Sequence, residues 1–172
     1  MKWLQLSCLL ALAGHAACAR AETEASEAQV DPAVAAIFAP YSVETDGSAG
    51  DADWDRPVFS AETTDLIAQW KLRWVDWEVA ELQDFAWFCG CQDWDNANFR
   101  AVIEPHGAPV AGRIEVPVAV NLGWDTPDRH MRLVMEVENG KWLLDDLYWE
   151  DSPDGLKAQL KQAICSQPGS GN

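Results

Sequence analysis

Hydrophobic positions change their spacing partway along the chain. Between Asp31 and Trp77 they fall three and four residues apart, and from Phe99 to Trp149 they alternate. The first spacing belongs to helices with one buried stripe, the second to strands with one buried face. Asp31-Pro32 predicts the first helix start, with Asp31 as N-cap and Pro32 at the tolerated first position. Val34, Ile37 and Phe38 form its apolar side, and Pro40 ends it. Ser42 to Arg56 is a polar loop, after which Ser60 predicts the cap of a second helix. Leu66, Trp70, Trp74 and Trp77 share one face of that helix. Such a tryptophan row either packs a core or lines a ligand cavity. Core is the preferred reading, because large aromatics dominate buried area.

Asp84 to Asn98 is irregular and rich in aromatics. Phe99 to Glu104 then predicts a strand, turning at Pro105-His106-Gly107. Ile114, Val116, Val118, Val120 and Leu122 alternate with smaller or polar residues in a second strand, where Pro117 predicts an edge position or a bulge. Met131, Leu133, Met135 and Val137 mark the third strand, and Lys141 to Trp149 the last. Asn139-Gly140 between them is a hairpin signal. Ser152 or Asp154 opens a C-terminal helix carrying Leu156, Leu160 and Ile164. Helices first, then a meander, then a helix predict an α+β domain over residues 31–165. Its N-terminal helices pack on a curved antiparallel sheet of about four strands.

The chain ends carry a different signal. Lys2, an apolar run from Trp3 to Gly14 and Ala19-Arg20-Ala21 have the layout of a secretory signal peptide, residues 1–21. The run is shorter than the roughly 20 residues a spanning helix needs. A lipoprotein signal at Cys8 or Cys18 is the other rival, disfavoured because His15 precedes Cys18 where an aliphatic residue belongs and Cys8 comes too early. Cleavage after Ala21 predicts a periplasmic or secreted domain with a loose leader over 22–30 and a loose tail over 166–172. The full chain has 12 basic and 28 acidic residues, a formal charge of −16, and cleavage removes only basic Lys2 and Arg20. Such a charge repels nucleic acid and anionic membranes and permits a basic protein partner. The plainer reading is that it serves solubility.

Cys89, Cys91 and Cys165 remain after cleavage, an odd number in an oxidising compartment. Pairing Cys89 with Cys91 would close a tight ring. A bridge from Cys165 to Cys91 or Cys89 is therefore expected, closing a long loop for about 4–5 kcal/mol in the chain-entropy model.

Cys89-Gly90-Cys91-Gln92-Asp93-Trp94-Asp95 resembles the C-x-C-Q-D-aromatic-acid signature of the YbjP/YqhG-like proteins, an exported family of unknown function. Phe38-Ala39-Pro40-Tyr41 is similar to that family's opening helix, and Phe59-Ser60 to the start of its second. Gly140-Lys141-Trp142-Leu143-Leu144-Asp145-Asp146-Leu147 resembles its G-x-W-x-I-x-D-I strand, with leucines replacing isoleucines. The likeness spans Val34 to Ile164 and implies a nuclear transport factor two-like fold, a curved sheet wrapped round helices to leave a conical pocket. Members of that fold include isomerases, dehydratases, binding scaffolds and toxin-immunity proteins, so fold alone fixes no function.

Asp146 and Asp93 are the candidates for acid–base chemistry, which needs a carboxylate in a dry pocket. Asp146 shares a strand parity with Trp142, Leu144 and Tyr148, whereas Asp145 shares one with Leu143, Leu147 and Trp149. Both parities are aromatic, so alternation does not decide which aspartate faces inward. The plainer reading has Asp146 accepting hydrogen bonds from backbone or indole. Gln92 and Asp93 form either a binding pair or a latch that orients a turn. Trp70 and Trp74 complete the candidate binding set. No cofactor is expected. The oxygen-rich stretch Asp93 to Asn98 lacks the ligand spacing of a calcium loop, and His106 and His130 lie far from the cysteines in sequence. Cys89-Gly90-Cys91 departs from the two-residue spacing of dithiol catalysts. The leading expectation is an exported, non-enzymatic domain binding a protein, in an immunity-like role, or a small apolar ligand. The alternative is an isomerase or dehydratase using a carboxylate in the cone.

Overall fold

The computed structural model describes residues 29–43, 52–73 and 80–166. The expected signal peptide, most of the expected leader, part of the loop before Arg56, Trp74, Trp77 and most of the tail lie outside the described residues. Helix α1, Val30–Phe38, starts earlier than Asp31-Pro32 predicts, with Gln29 at the N-cap position. Asp31 therefore sits in the first turn, where a carboxylate opposes the helix dipole favourably. Its Oδ1 lies 2.8 Å from His106 Nε2, tying α1 to the loop after the first strand. Val34, Ile37 and Phe38 are buried, and a 3₁₀ turn, Ala39–Ser42, takes over at Pro40. A second such turn is Asp53–Asp55 and a third Ala80–Gln83.

Helix α2, Ala61–Lys71, begins as its cap predicts, with Thr63 N–H donating to Ser60 Oγ at 3.3 Å. Thr63, Leu66, Ile67 and Trp70 form its buried stripe. Strands β1 (Arg100–Ile103), β2 (Arg113–Asn121), β3 (Arg129–Glu138) and β4 (Lys141–Trp149) pair antiparallel in the order β1-β2-β3-β4. Helix α3, Gly155–Cys165, follows and buries Leu156 and Leu160. The α+β architecture is thus the one the change of period predicts. No described helix is long and apolar enough to cross a membrane.

Local chemistry accounts for the strand ends. Asn139 and Gly140 take φ values of 52° and 74°, the positive pair of a tight two-residue hairpin. Pro117 lies inside β2, yet on the β1 side it stands where pairing runs out, since β1 stops at Ile103 opposite Val118. Glu104 N–H donates to Pro117 C=O at 3.0 Å, and proline has no N–H to return the bond. Proline here marks a local edge. The far side of β4 is covered by Val58 to Ser60: Leu144 N–H donates to Val58 C=O, and Ser60 N–H to Leu144 C=O. That bridge occupies the β4 edge at Leu144.

One side of the sheet meets the helices through Val116, Val118, Leu133, Met135, Leu144 and Leu147, all buried. The interior beneath them is aromatic. Trp54, Trp70 and Trp87 form a triangle with ring centroids 5.6–5.7 Å apart. Phe59 stacks on Phe88 at 5.8 Å and meets Trp87 edge-on at 6.0 Å. Trp70 and Trp87 are wholly buried, so Trp70 is a core residue and opens onto no cavity. Replacing Trp70 with alanine should lower unfolding free energy by about 3–5 kcal/mol, the range for large aromatics in cores. Urea denaturation checks this; a loss under about 1 kcal/mol would mean the interior is not packed around this indole.

Candidate functional site

Both strand aspartates owe their positions to a register break. Val134 pairs with Asp146 while Met135 pairs with Leu144, which leaves Asp145 as the extra residue of a β-bulge. The bulge moves the core-facing phase by one: Trp142 and Leu144 pack inward before it, Leu147 and Trp149 after it. Neither aspartate then belongs to the core face.

Asp145 is 2% exposed and surrounded by donors. Its Oδ1 accepts from Lys157 Nζ at 2.8 Å and from Ser60 Oγ at 2.9 Å. Arg113 Nη1 lies 2.7 Å from Oδ2, and the Thr63 hydroxyl donates to the Asp145 carbonyl. Arg113 also pairs with Glu136 at 2.9 Å and Lys157 with Glu62 at 2.6 Å. One carboxylate thereby joins β2, β4, the cap of α2 and the first turn of α3. Burial alone would raise the Asp145 carboxyl, but hydrogen bonds from Lys157, Arg113 and Ser60 outweigh it and hold it below the ordinary carboxylate range.

Asp146 is 7% exposed, and its Oδ1 accepts from Leu147 N–H at 2.9 Å and Lys157 N–H at 3.0 Å. Lys157 is the third residue of α3, so Asp146 satisfies one of the amides a helix start leaves unpaired. Asp154, at the N-cap position, makes no such bond through its side chain. Gly155 permits the approach. A Cβ there would stand 2.8 Å from Tyr148 Cε1 and 3.0 Å from Asp146 Oδ1, at a φ of +78°. Asp146 thus takes the backbone-accepting role that was one of its two sequence readings.

Gln92 and Asp93 are both exposed, whereas Asp145 and Asp146 are buried. The turn latch expected of Asp93 is made by Asp95, whose side chain accepts from Ala97 N–H at 3.1 Å and Asn98 Nδ2 at 2.6 Å. Trp94 Nε1 donates to Tyr41 C=O at 3.0 Å. Tyr41 in turn donates its hydroxyl to Asp53 at 2.5 Å. Burial, reinforced by the Asp53 charge, keeps that phenol protonated far above its ordinary range. His130 Nδ1 lies 3.8 Å from Glu104. Among the described residues no three His, Cys, Asp or Glu side chains are placed to hold a metal.

The expected bridge from Cys165 gives way to another. Cys89 is bonded to Cys91, with Cα atoms 5.1 Å apart, and Cys165 is free and exposed. Gly90 between them adopts φ +56°, a turn that brings the two side chains together at an ordinary disulfide Cα separation. Ala86 and Cys91 exchange backbone hydrogen bonds at 2.7 and 3.3 Å, closing the same loop a second time. Arg73 donates to Ser166 C=O at 2.6 Å, holding the Cys165 end of α3 beside the end of α2.

The cross-linked loop forms one wall of a half-open groove of about 450 Å³. Phe85, Met131 and Trp149 provide its apolar floor, while Asp128, Glu150 and Asp151 stand among its polar lining. Trp149 is fixed by donating Nε1 to Trp87 C=O at 2.7 Å and by edge contact with Phe85 at 5.5 Å. Arg129 also lines the groove, with its guanidinium donating to Gly90 C=O. These residues come from the disulfide loop and the residues before it, the β2–β3 connection, β3, β4 and the turn into α3. No local motif announces them; the one sequence signal is their aromatic and acidic make-up at strand ends. Compared with models of protein families, with curated proteins and with solved structures, the chain gives no match.

Two outcomes follow. Asparagine at Asp145 should cost about 2–3 kcal/mol, below the 3–5 of a fully buried pair because Arg113 keeps contact with water. The depressed carboxyl contributes stability above its unfolded pKa and loses it as pH falls through the lower folded value. Wild type should therefore lose stability on acidification below about pH 4, and Asp145→Asn should lose less over that window. Equal acid sensitivity of the two proteins in urea titrations would contradict the hub. Peptide mapping of the unreduced protein should find Cys89 and Cys91 in one peptide lacking both thiol hydrogens, and Cys165 free. A Cys165-linked peptide would refute the pairing.

Proposed function

We propose that this is an exported, non-enzymatic binding domain whose ligand site is the groove beside the Cys89–Cys91 loop. One observation carries the reading: the carboxylates most suited to chemistry are committed to structure, while Asp128, Glu150 and Asp151 stand exposed along the groove. Asp146 caps α3 and Asp145 is ion-paired, which leaves neither as an isolated base in a dry pocket. Asp93 is exposed and lies in no dry pocket. Neither candidate of the acid–base alternative, Asp146 or Asp93, is thus placed as a base in a dry pocket. A volume of about 450 Å³ suits an organic ligand or a few side chains of a partner.

Export is supported by the signal-peptide layout of residues 1–21. The resemblance to the YbjP/YqhG-like proteins, and through it to a nuclear transport factor two-like cone, belongs to the same reading. An immunity-like or other protein-binding role agrees with the acidic balance of the chain.

The test is a fragment screen by nuclear magnetic resonance, with apolar and cationic organic compounds recovered afterwards. Saturable shifts at Phe85, Met131 and Trp149, with the compounds returned unchanged, are expected. Shifts centred on Trp70, Trp87 and Phe88 together with chemical conversion of a compound would replace this reading with the enzymatic one.

A further inference from the structure

We infer that the groove docks a basic polypeptide segment, which seats an apolar side chain on Phe85, Met131 and Trp149 while its cations face Asp128, Glu150 and Asp151. This inference rests on the binding reading above and names the partner's chemistry. The groove lies between two acidic connections. One runs from β2 to β3 and carries Asp125 and Asp128; the other runs from β4 to α3 and carries Glu150, Asp151 and Asp154. All five of these carboxylates are exposed.

Arg129, whose guanidinium donates to the neutral Gly90 carbonyl, keeps its charge, but among the described lining residues it stands alone against the carboxylates of Asp128, Glu150 and Asp151. Asp128 accepts from the neutral Asn121 amide at 2.7 Å and so keeps its charge. Opposite charge at the rim steers and orients a cationic partner, while the apolar floor supplies contact area. Phe85 and Trp149 present aromatic surface that also favours a cation seated over it. Trp124, on the first of the acidic connections, is 45% exposed, a large apolar group offered outside the core. The outer sheet face differs in kind: its acids are interleaved with bases, as in Arg113 with Glu136 and Arg132 with Glu115. A strongly acidic protein attracts cations everywhere, but this groove joins that attraction to an apolar seat.

The probe is a seven-residue peptide of lysines flanking one phenylalanine and one leucine, titrated into the full chain and read by amide shifts and by fluorescence anisotropy. Shifts should concentrate at Phe85, Met131 and Trp149. Replacing the two apolar residues of the peptide with serine should weaken binding about tenfold or more. The variant Glu150→Gln/Asp151→Asn should weaken it about tenfold, and the remote pair Asp65→Asn/Glu115→Gln by less than about twofold.

Equal losses from the two double variants, or shifts spread over the outer sheet face, would overturn the groove as the basic-segment site and leave the binding reading standing. An anionic apolar dye, 1-anilinonaphthalene-8-sulfonate, shifting the groove amides more strongly than the peptide would overturn the basic occupant alone. Failure of both probes to move any groove amide would overturn the inference and the binding reading together.

Discussion

The ion-paired carboxylate of Asp145 is the constraint around which the fold closes. A single extra residue in β4 turns it away from the core face, where Lys157, Arg113 and Ser60 converge on it. A buried carboxylate without such partners would cost several kcal/mol, on the order of the penalties known for unpaired interior charge. With them, it fixes the start of α2, the start of α3 and the sheet in one arrangement. Asp146 completes the joint by capping the helix whose third residue supplies the lysine. Two adjacent aspartates thus bind the same turn of α3, one through its backbone and one through its side chain.

That joint decides what the interior is for. With the acids removed from the core face, the space beneath the sheet holds Trp54, Trp70, Trp87, Phe59 and Phe88 in edge and stacked contacts. Such packing yields large apolar burial and little room for a reacting group. A groove opens at the sheet end, lined by the Cys89–Cys91 loop, the β3 start and the turn after Trp149. A disulfide closing so short a loop contributes little through chain entropy, about 1–2 kcal/mol. Its structural effect is local: it holds Gly90 against Trp149 and presents its carbonyl to Arg129.

Much of the fold was legible because period and turn chemistry are local. Ser60, Asn139-Gly140 and the last strand stand where their residues predict. The aspartate question was not legible, because Leu143 is apolar as well and both parities of the strand carry apolar residues; the skipped position between Leu144 and Leu147 stands out only beside the bulge itself. The disulfide was not legible either. The pairing depends on the positive φ of Gly90, and spacing alone weighs a tight ring against a long loop without that information. The groove was least legible, since its walls come from segments distant in sequence that meet only after the sheet forms.

Trp70, Trp87 and Leu144 are packed out of reach of solvent, and a groove opens beside Phe85, Met131 and Trp149. Xenon, a small apolar probe that enters dry cavities, tests this arrangement directly when pressurised over the labelled protein. Xenon-dependent shifts are expected at Phe85, Met131 and Trp149, with Trp70, Trp87 and Leu144 unmoved. Xenon shifts centred on those three interior residues would reveal an open cone and contradict it.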